Sequence, residues 1–279
     1  MSSPTSTKLT PPNYLDPRVR RKYIWIYLFQ VWISLIPASF LVLWFFYSWF
    51  IRILPSFYNF NDVSWTLSNL VKKFWDYPNW AAGLILPILI AIIYITSVIW
   101  SAIITKLIIA TLNRIHAPSE GVFFRNLADK DYLFWNLRNL SRIFLFWLIS
   151  SSPFIFLKKT FLYTFFGVPI GKKSVINQTW ISPEFVEIGE NVIIGQSAAL
   201  YSYLIQGDKL LVAKIQIADG VKIGPQTVLL PGTKVDENVI VDGGSFAHPF
   251  TVMDSNSIYG GIPCEKLENS EKIWLEFFK

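Results

Sequence analysis

The sequence predicts a chain in two parts: a membrane α-helical N-terminal half and an all-β C-terminal half wound as a parallel β-helix. Three observations carry this expectation. A run of 29 residues, Tyr23–Ile51, holds no charge, and a second uncharged stretch lies between Asp76 and Lys106. From Gly167 onward, apolar residues recur at every sixth position. Aromatic residues make up 17% of the chain and charged residues only 16%, against roughly 25% charged in soluble domains, so lipid or a large interface is needed to cover the surplus.

The formal net charge is +6, but Lys and Arg gather beside hydrophobic segments and form no basic stripe with interleaved stacking residues, so nucleic acid is not an expected partner. The single cysteine, Cys264, excludes an intrachain disulfide. Two histidines, His116 and His248, cannot build a trihistidine zinc site within one chain, and no metal is expected.

Residues 1–22 begin rich in Ser, Thr and Pro and end in Arg18, Arg20, Arg21 and Lys22; they read as a disordered basic N-terminus. Residues 23–114 read as a two-helix transmembrane hairpin. A helix over Tyr23–Ile51 extends roughly 43 Å, more than the ~30 Å hydrocarbon core requires. Trp25, Trp32, Trp44 and Trp49 supply interfacial anchors. The second helix has its apolar centre at Leu84–Ile99, and Pro37 and Pro87 are tolerated where neighbouring groups satisfy the freed carbonyls. The loop between carries only Arg52, Lys72 and Lys73, whereas Arg114, Arg125, Lys130, Arg138 and Arg142 follow the second span. The positive-inside rule therefore places both termini in the cytoplasm. Residues 115–166 read as an interfacial helical connector. Its apolar segment Ile143–Leu157 reaches only about 22 Å, so it and Phe161–Phe166 lie in the interface on this reading. A short third span, which would move the C-terminal half across the bilayer, is the alternative.

Over residues 167–264, counting in sixes gives Ile170, Ile176, Ser182, Ile188, Ile194 and Leu200. After an out-of-register stretch at Gln206–Gln216 the count resumes as Ile217, Ile223, Leu229, Val235, Val241, Ala247 and Met253. Four places later stand mostly small or aliphatic residues, among them Ser174, Val192, Leu204, Thr227 and Ser245. Each hexad supplies a short strand and a turn, with its aliphatic side chain inward. One coil cannot bury its own face, so coils stack and stability becomes largely a nearest-neighbour property. Gly171, Gly189, Gly195 and Gly224 follow the aliphatic position, where tight turns favour glycine. Asn191, Asn238 and Asn256 recur where left-handed backbone angles are tolerated. Thirteen hexads predict four to five triangular coils, with residues 265–279 as a tail.

In these residues the chain resembles the hexapeptide-repeat acyltransferase superfamily, whose fold is the left-handed parallel β-helix. The ending Gly260-Gly261-Ile262-Pro263-Cys264 is similar to that family's closing Gly-x-Pro-Ala pattern, with Cys264 where alanine is usual and Lys266 one step beyond the usual lysine. More narrowly, the junctions Glu120-Gly121 through Trp135 and Phe166-Gly167-Val168-Pro169-Ile170-Gly171 resemble the membrane-embedded C-terminal region of poly-lysine-synthetase-type non-ribosomal peptide synthetases.

The resemblance implies transfer of an acyl group, usually acetyl, from acyl-CoA as cosubstrate to a hydroxyl or amine. It also implies a homotrimer with active sites between neighbouring β-helices. In this chemistry a histidine base removes the acceptor proton while backbone amides hold the oxyanion. Set against related sequences, Tyr203 falls about where that histidine is expected, and a phenol with an ordinary pKa of about 10 is a poor base. Asp208, on the interrupting loop, needs burial to raise its pKa. His248 follows inward-facing Ala247 and reads either as an exposed corner residue or as the base. Gly261, Pro263 and Lys266 are the cofactor-binding residues that the closing pattern implies. The expected function is a membrane-anchored acyltransferase acting on an amphiphilic or lipid-linked acceptor; the alternative is a non-catalytic trimeric scaffold or membrane-organising subunit.

Overall fold

Two-residue strands hold no shape alone; hexads become structure when successive coils pair. The computed structural model, which describes residues 17–57, 79–150 and 163–267, shows that pairing along three parallel sheets. The first contains β2 (Val175–Ile176), β5 (Ile193–Ile194), β10 (Lys222–Ile223), β13 (Ile240–Val241) and β16 (Ile258–Gly260). The second contains β3 (Trp180–Ile181), β6 (Ala199–Leu200), β11 (Val228–Leu229) and β14 (Phe246–Ala247). The third contains β4 (Val186–Ile188), β9 (Ile215–Ile217), β12 (Lys234–Val235) and β15 (Val252–Met253). The chain visits the sheets in turn, so equivalent residues stack in columns. Ile176, Ile194, Ile223, Val241 and Tyr259 make one. Ile188, Ile217, Val235 and Met253 make another, which Ile170 joins through a bridge to Ile188. The expected four to five coils are present.

Ser182 is not an inward position. Trp180–Ile181 pair with Ala199–Leu200, so Ile181, 1% exposed, fills the column and the first coil's side there is one residue short. The next side is one residue long and turns through Phe185 at φ 57°. The polar exception in the aliphatic column thereby disappears.

Asn191, Asn238 and Asn256 take left-handed angles, φ 55°, 57° and 54°, as their type suggests. The glycines after the aliphatic position serve a different purpose from the turn freedom expected of them. A Cβ on Gly171 would lie 2.3 Å from the Gly189 backbone, and one on Gly224 would lie 2.4 Å from that of Gly243. The next coil passes too close for any side chain.

The interruption is a hairpin of β7 (Tyr203–Gln206) and β8 (Lys209–Val212), extended by β1 (Gly121–Phe124) pairing antiparallel with β8. It leaves the coil just after Leu200, earlier than expected, so Leu204 belongs to the hairpin and not to the β-helix interior. Column neighbours Ile188 and Ile217 are consequently 29 positions apart, where Ile217 and Val235 are 18 apart. The connector holds β1 and a helix, α3 (Lys130–Ser150), numbered after α1 (Pro17–Phe57) and α2 (Asn79–Ile115). Asp129 caps α3: its carboxylate accepts from the Tyr132 and Phe124 amides at 3.2 and 3.0 Å. Residues 143–150 of the expected interfacial segment are the end of this helix; 151–157, with 1–16, 161–162 and 268–279, lie outside the described residues.

The chain divides into two compact units, one of residues 22–110 and 141–148, the other comprising 1–21, 111–140 and 149–279. Two stretches that lie mostly in the first, Arg21–Tyr47 and Pro87–Ile115, are long and apolar enough to cross a membrane. Trp25, Phe40 and Ile88 are 76%, 69% and 62% exposed, a surface that a core helix of a soluble protein would bury. The helices meet through a polar seam of small residues that lets backbones approach. Gln30 donates to Thr105 Oγ1 at 3.0 Å and to the Ser141 carbonyl at 2.7 Å, and Ser34, Ser97 and Ser101 are buried beside them.

Two stability predictions follow from these contacts. Ile223 is 2% exposed, so Ile223→Asp buries an unpaired carboxylate and costs several kcal/mol (about 3–5), whereas outward-facing Lys222→Asp changes stability by about 0.5 kcal/mol or less in denaturant titrations. The buried Ser101 hydroxyl has no partner among the described residues. Ser101→Ala should therefore leave the melting temperature in detergent unchanged or raised, while Ser101→Leu overfills the seam and costs about 1–3 kcal/mol.

Candidate active site

The chain passes from the second sheet to the third at one corner of every coil. Phe185, the Tyr203–Val212 hairpin, Leu230–Pro231 and His248–Pro249 occupy successive levels of this corner. The hairpin is held from both ends. The Arg125 amide donates to the Asp208 carbonyl at 2.8 Å, and its guanidinium donates to the Gly207 carbonyl at 2.7 Å. At the base, the Lys214 amide donates to Glu120 at 2.7 Å. Tyr132 and Trp135 of α3 form a buried cluster with Leu210 and Val212, joined by Phe123, Phe185, Tyr203 and Ile205. Arg138, one turn along the same helix, pairs with Glu184 at 2.9 Å, almost out of solvent. Losing one partner of such a pair costs about 3–5 kcal/mol, so residues 130–140 of α3 are tied to the first coil.

The expected site residues fall in different places. Tyr203 is largely buried, with Trp135 edge-on at 4.9 Å and Tyr201 at 6.0 Å. Burial, reinforced by Tyr201, pushes its phenol well above the ordinary tyrosine range, away from what a base requires. Asp208 is at the exposed hairpin tip and lacks the burial that a base role asked of it. His248 is exposed at the corner two levels above Tyr201, a rise of about 10 Å at ordinary strand spacing. Its ring meets Phe246 at 5.4 Å, and its carbonyl accepts from the Thr251 hydroxyl at 2.8 Å.

The closing pattern comes to His248 through Phe246. The Phe246 amide donates to the Gly261 carbonyl at 3.0 Å, and the Cys264 amide donates back to the Phe246 carbonyl at 2.8 Å. Pro263, after a cis peptide, lies in this turn, and β17 (Glu265–Lys266) folds back on β16. Lys266 is exposed, 3.5 Å from Asp254. Burial, partly offset by a hydrogen bond with Ser245, pushes the Cys264 thiol up to about 11, so it is not a thiolate at neutral pH.

A third group was not anticipated from the sequence. His116 Nε2 lies 2.9 Å from Asp131 Oδ1, and the Ser119 hydroxyl donates to the same oxygen. Phe134 packs against the imidazole at 5.1 Å. Burial acts to raise the Asp131 carboxyl, but the hydrogen bonds from Ser119 and His116 and the charges of His116 and Arg138 outweigh it and hold it below the usual range. His116, Ser119 and Asp131 do not stand out in the sequence, because Glu120, Arg125, Asn126, Asp129 and Lys130 lie among them; only the start of α3 brings the three together. Among the described residues, no group of three or more His, Cys, Asp or Glu side chains is placed to hold a metal ion.

No family model matches the chain. It is 28% identical over 128 residues to YvoF of Bacillus subtilis (strain 168), whose name assigns it provisionally to the acetyltransferases; the match spans 44% of this chain and 72% of YvoF. Solved structures similar to it include a hexapeptide-repeat acetyltransferase from Vibrio cholerae complexed with acetyl coenzyme A, at 19% identity and TM-score 0.35, covering 43% of this chain and 80% of that one. A maltose O-acetyltransferase from Clostridium difficile 630 is 18% identical with TM-score 0.32, over 38% of this chain and 70% of that one. The protein described here is thus similar, over somewhat less than half its length, to a protein named as an acetyltransferase.

Proposed function

We propose that the protein is a membrane-anchored acyltransferase that uses acyl-CoA and acylates a hydroxyl or amine of an amphiphilic acceptor. The observation that carries this reading is a rigid β-helix interrupted at one corner by a clamped hairpin, so that side chains are held at a fixed projection beside the coil surface. Preorganisation of that kind is what acyl transfer needs. The likeness to YvoF supports acetyl as the group transferred. Gly261 and Pro263 would shape the CoA end of the site, and Lys266 would meet a phosphate. The two long apolar helices support anchorage in a bilayer, which concentrates a lipid-bearing acceptor at the membrane surface. The narrower resemblance to the poly-lysine-synthetase C-terminal region agrees with this combination of membrane helices and β-helix. A left-handed wind and a homotrimer belong to the same reading, and exposed Val175 and Ile193 on the first sheet support a subunit contact. A non-catalytic scaffold is the second reading, favoured by the burial of Tyr203 where the resemblance expects the base.

Calorimetry on the purified full chain should detect acetyl-CoA binding, and Lys266→Glu should weaken it about tenfold, equivalent to ~1.4 kcal/mol. No binding at millimolar acetyl-CoA would leave the scaffold standing. Topology is checked by cysteine labelling on a Cys264→Ser background. Labels at Ser2 and Ser270 should be protected from an impermeant reagent in intact cells, while one at Asn61 reacts. Reaction at Ser270 alone would place the C-terminal half on the opposite side.

A further inference from the structure

We propose that His116, oriented by Asp131, is the general base of the acyl transfer, an assignment that rests on the acyltransferase reading above. The geometry fixes the tautomer. An ionised Asp131 only accepts, so at 2.9 Å His116 Nε2 carries the hydrogen and Nδ1 presents its lone pair. Asp131 is not needed at the helix start, because Asp129 already caps α3. Its carboxylate is instead committed to His116 and Ser119. The His116 and Asp131 side chains are 28% and 30% exposed, open enough for a substrate to reach and sheltered enough to stay oriented. His248, by contrast, has Phe246 beside its ring and no carboxylate bonded to it among the described residues.

Position points the same way. Asp131 lies one helical turn before Trp135, whose ring packs on Tyr203, the place where the resemblance expects a base. On this proposal the base comes from the connector instead of from the β-helix. In the step itself, the acceptor's O–H or N–H proton passes to His116 Nδ1 as the oxygen or nitrogen bonds to the acyl carbon. The carbon–sulfur bond to CoA then breaks, and the leaving thiolate takes the proton from the imidazolium. Asp131 stays ionised throughout and acts as a positioning residue.

The test uses the full chain in lipid nanodiscs with acetyl-CoA as the probe. The chain has only two histidines, so a His248→Gln variant assigns both imidazoles in a histidine-labelled NMR spectrum. Acetyl-CoA should shift the His116 resonances and leave those of His248 in place. His116→Gln should lower acetyl-CoA thioester cleavage about 10²-fold with binding intact, whereas His248→Ala stays within about twofold. The charged and polar groups facing His116 are Asp131, Ser119 and Arg138, with Glu184 behind Arg138. Asp131→Asn should lower acetyl-CoA thioester cleavage with binding intact, and the conservative Asp131→Glu should restore part of it, a rescue that a purely structural tie would not require. If acetyl-CoA binds but shifts only His248, or neither histidine, the assignment is overturned and the acyltransferase reading survives. If His116→Gln and Asp131→Asn reduce only the melting temperature, the pair is a structural tie and the assignment is likewise overturned. If acetyl-CoA does not bind at all, both the reading and the assignment fall together.

Discussion

The closeness of one coil to the next governs the C-terminal half. Hydrogen-bonded strands lie about 4.8 Å apart, and at the corners of this β-helix the backbone of one coil nearly touches that of the next. A methyl group on Gly171, Gly189, Gly195 or Gly224 would fall within 2.3–2.5 Å of an atom in the following coil. The same closeness lets Ile194, Ile223 and Val241 stack as a continuous column and leaves each of them almost without solvent. Because every coil depends on its neighbours, length can be inserted between sheets without loss of the ladder. After the hairpin, β9 pairs with β4 on one side and β12 on the other, as though nothing had intervened.

That tolerance decides where chemistry can be hosted. A β-helix column accepts aliphatic side chains and little else, so reactive groups must hang from corners or from segments added outside the ladder. The hairpin is such an addition, and it is stiffened by residues remote in sequence: β1 pairs with β8, and Arg125 reaches the carbonyl of Gly207, 82 positions away. Non-local pairing of this sort converts an exposed loop into a rigid wall. The outward face of the third sheet is polar, with Lys214 2.6 Å from Glu187 and Gln216 nearby, whereas the first sheet exposes Val175 and Ile193 with Lys222 beside Ile193.

Much of this architecture was legible in the residues. The period of six predicted the columns, and asparagine predicted three of the left-handed corners, because both signals are local. Ser182 misled because a fixed count cannot register one short side followed by one long side, and Ile181 supplies the column instead. The glycines were expected to favour tight turns, whereas what requires them is backbone approach between coils, which is invisible until the coils are stacked. β1 escaped notice because its four residues find their partner some 90 positions later. The His116–Asp131 pair escaped for a related reason: 15 residues separate the two, and only the chain reversal through β1 and the capped start of α3 closes the gap.

Burial of Tyr203 and the presence of His116 are connected consequences of one element. Once α3 lays Tyr132 and Trp135 across the hairpin, the site at 203 becomes part of an apolar cluster. An imidazolium formed there during catalysis would have to be desolvated, at a cost of several kcal/mol unless paired, and an aromatic phenol suits the cavity better. The helix that closes this position also carries Asp131 one turn earlier, at its N-terminal end, where the aligned peptide dipoles favour a carboxylate. A carboxylate so placed can hold a histidine in one tautomer, with the lone pair on its other nitrogen. The element that makes position 203 unsuitable for a charged base therefore creates, a single turn away, the environment in which a base is oriented and partly exposed.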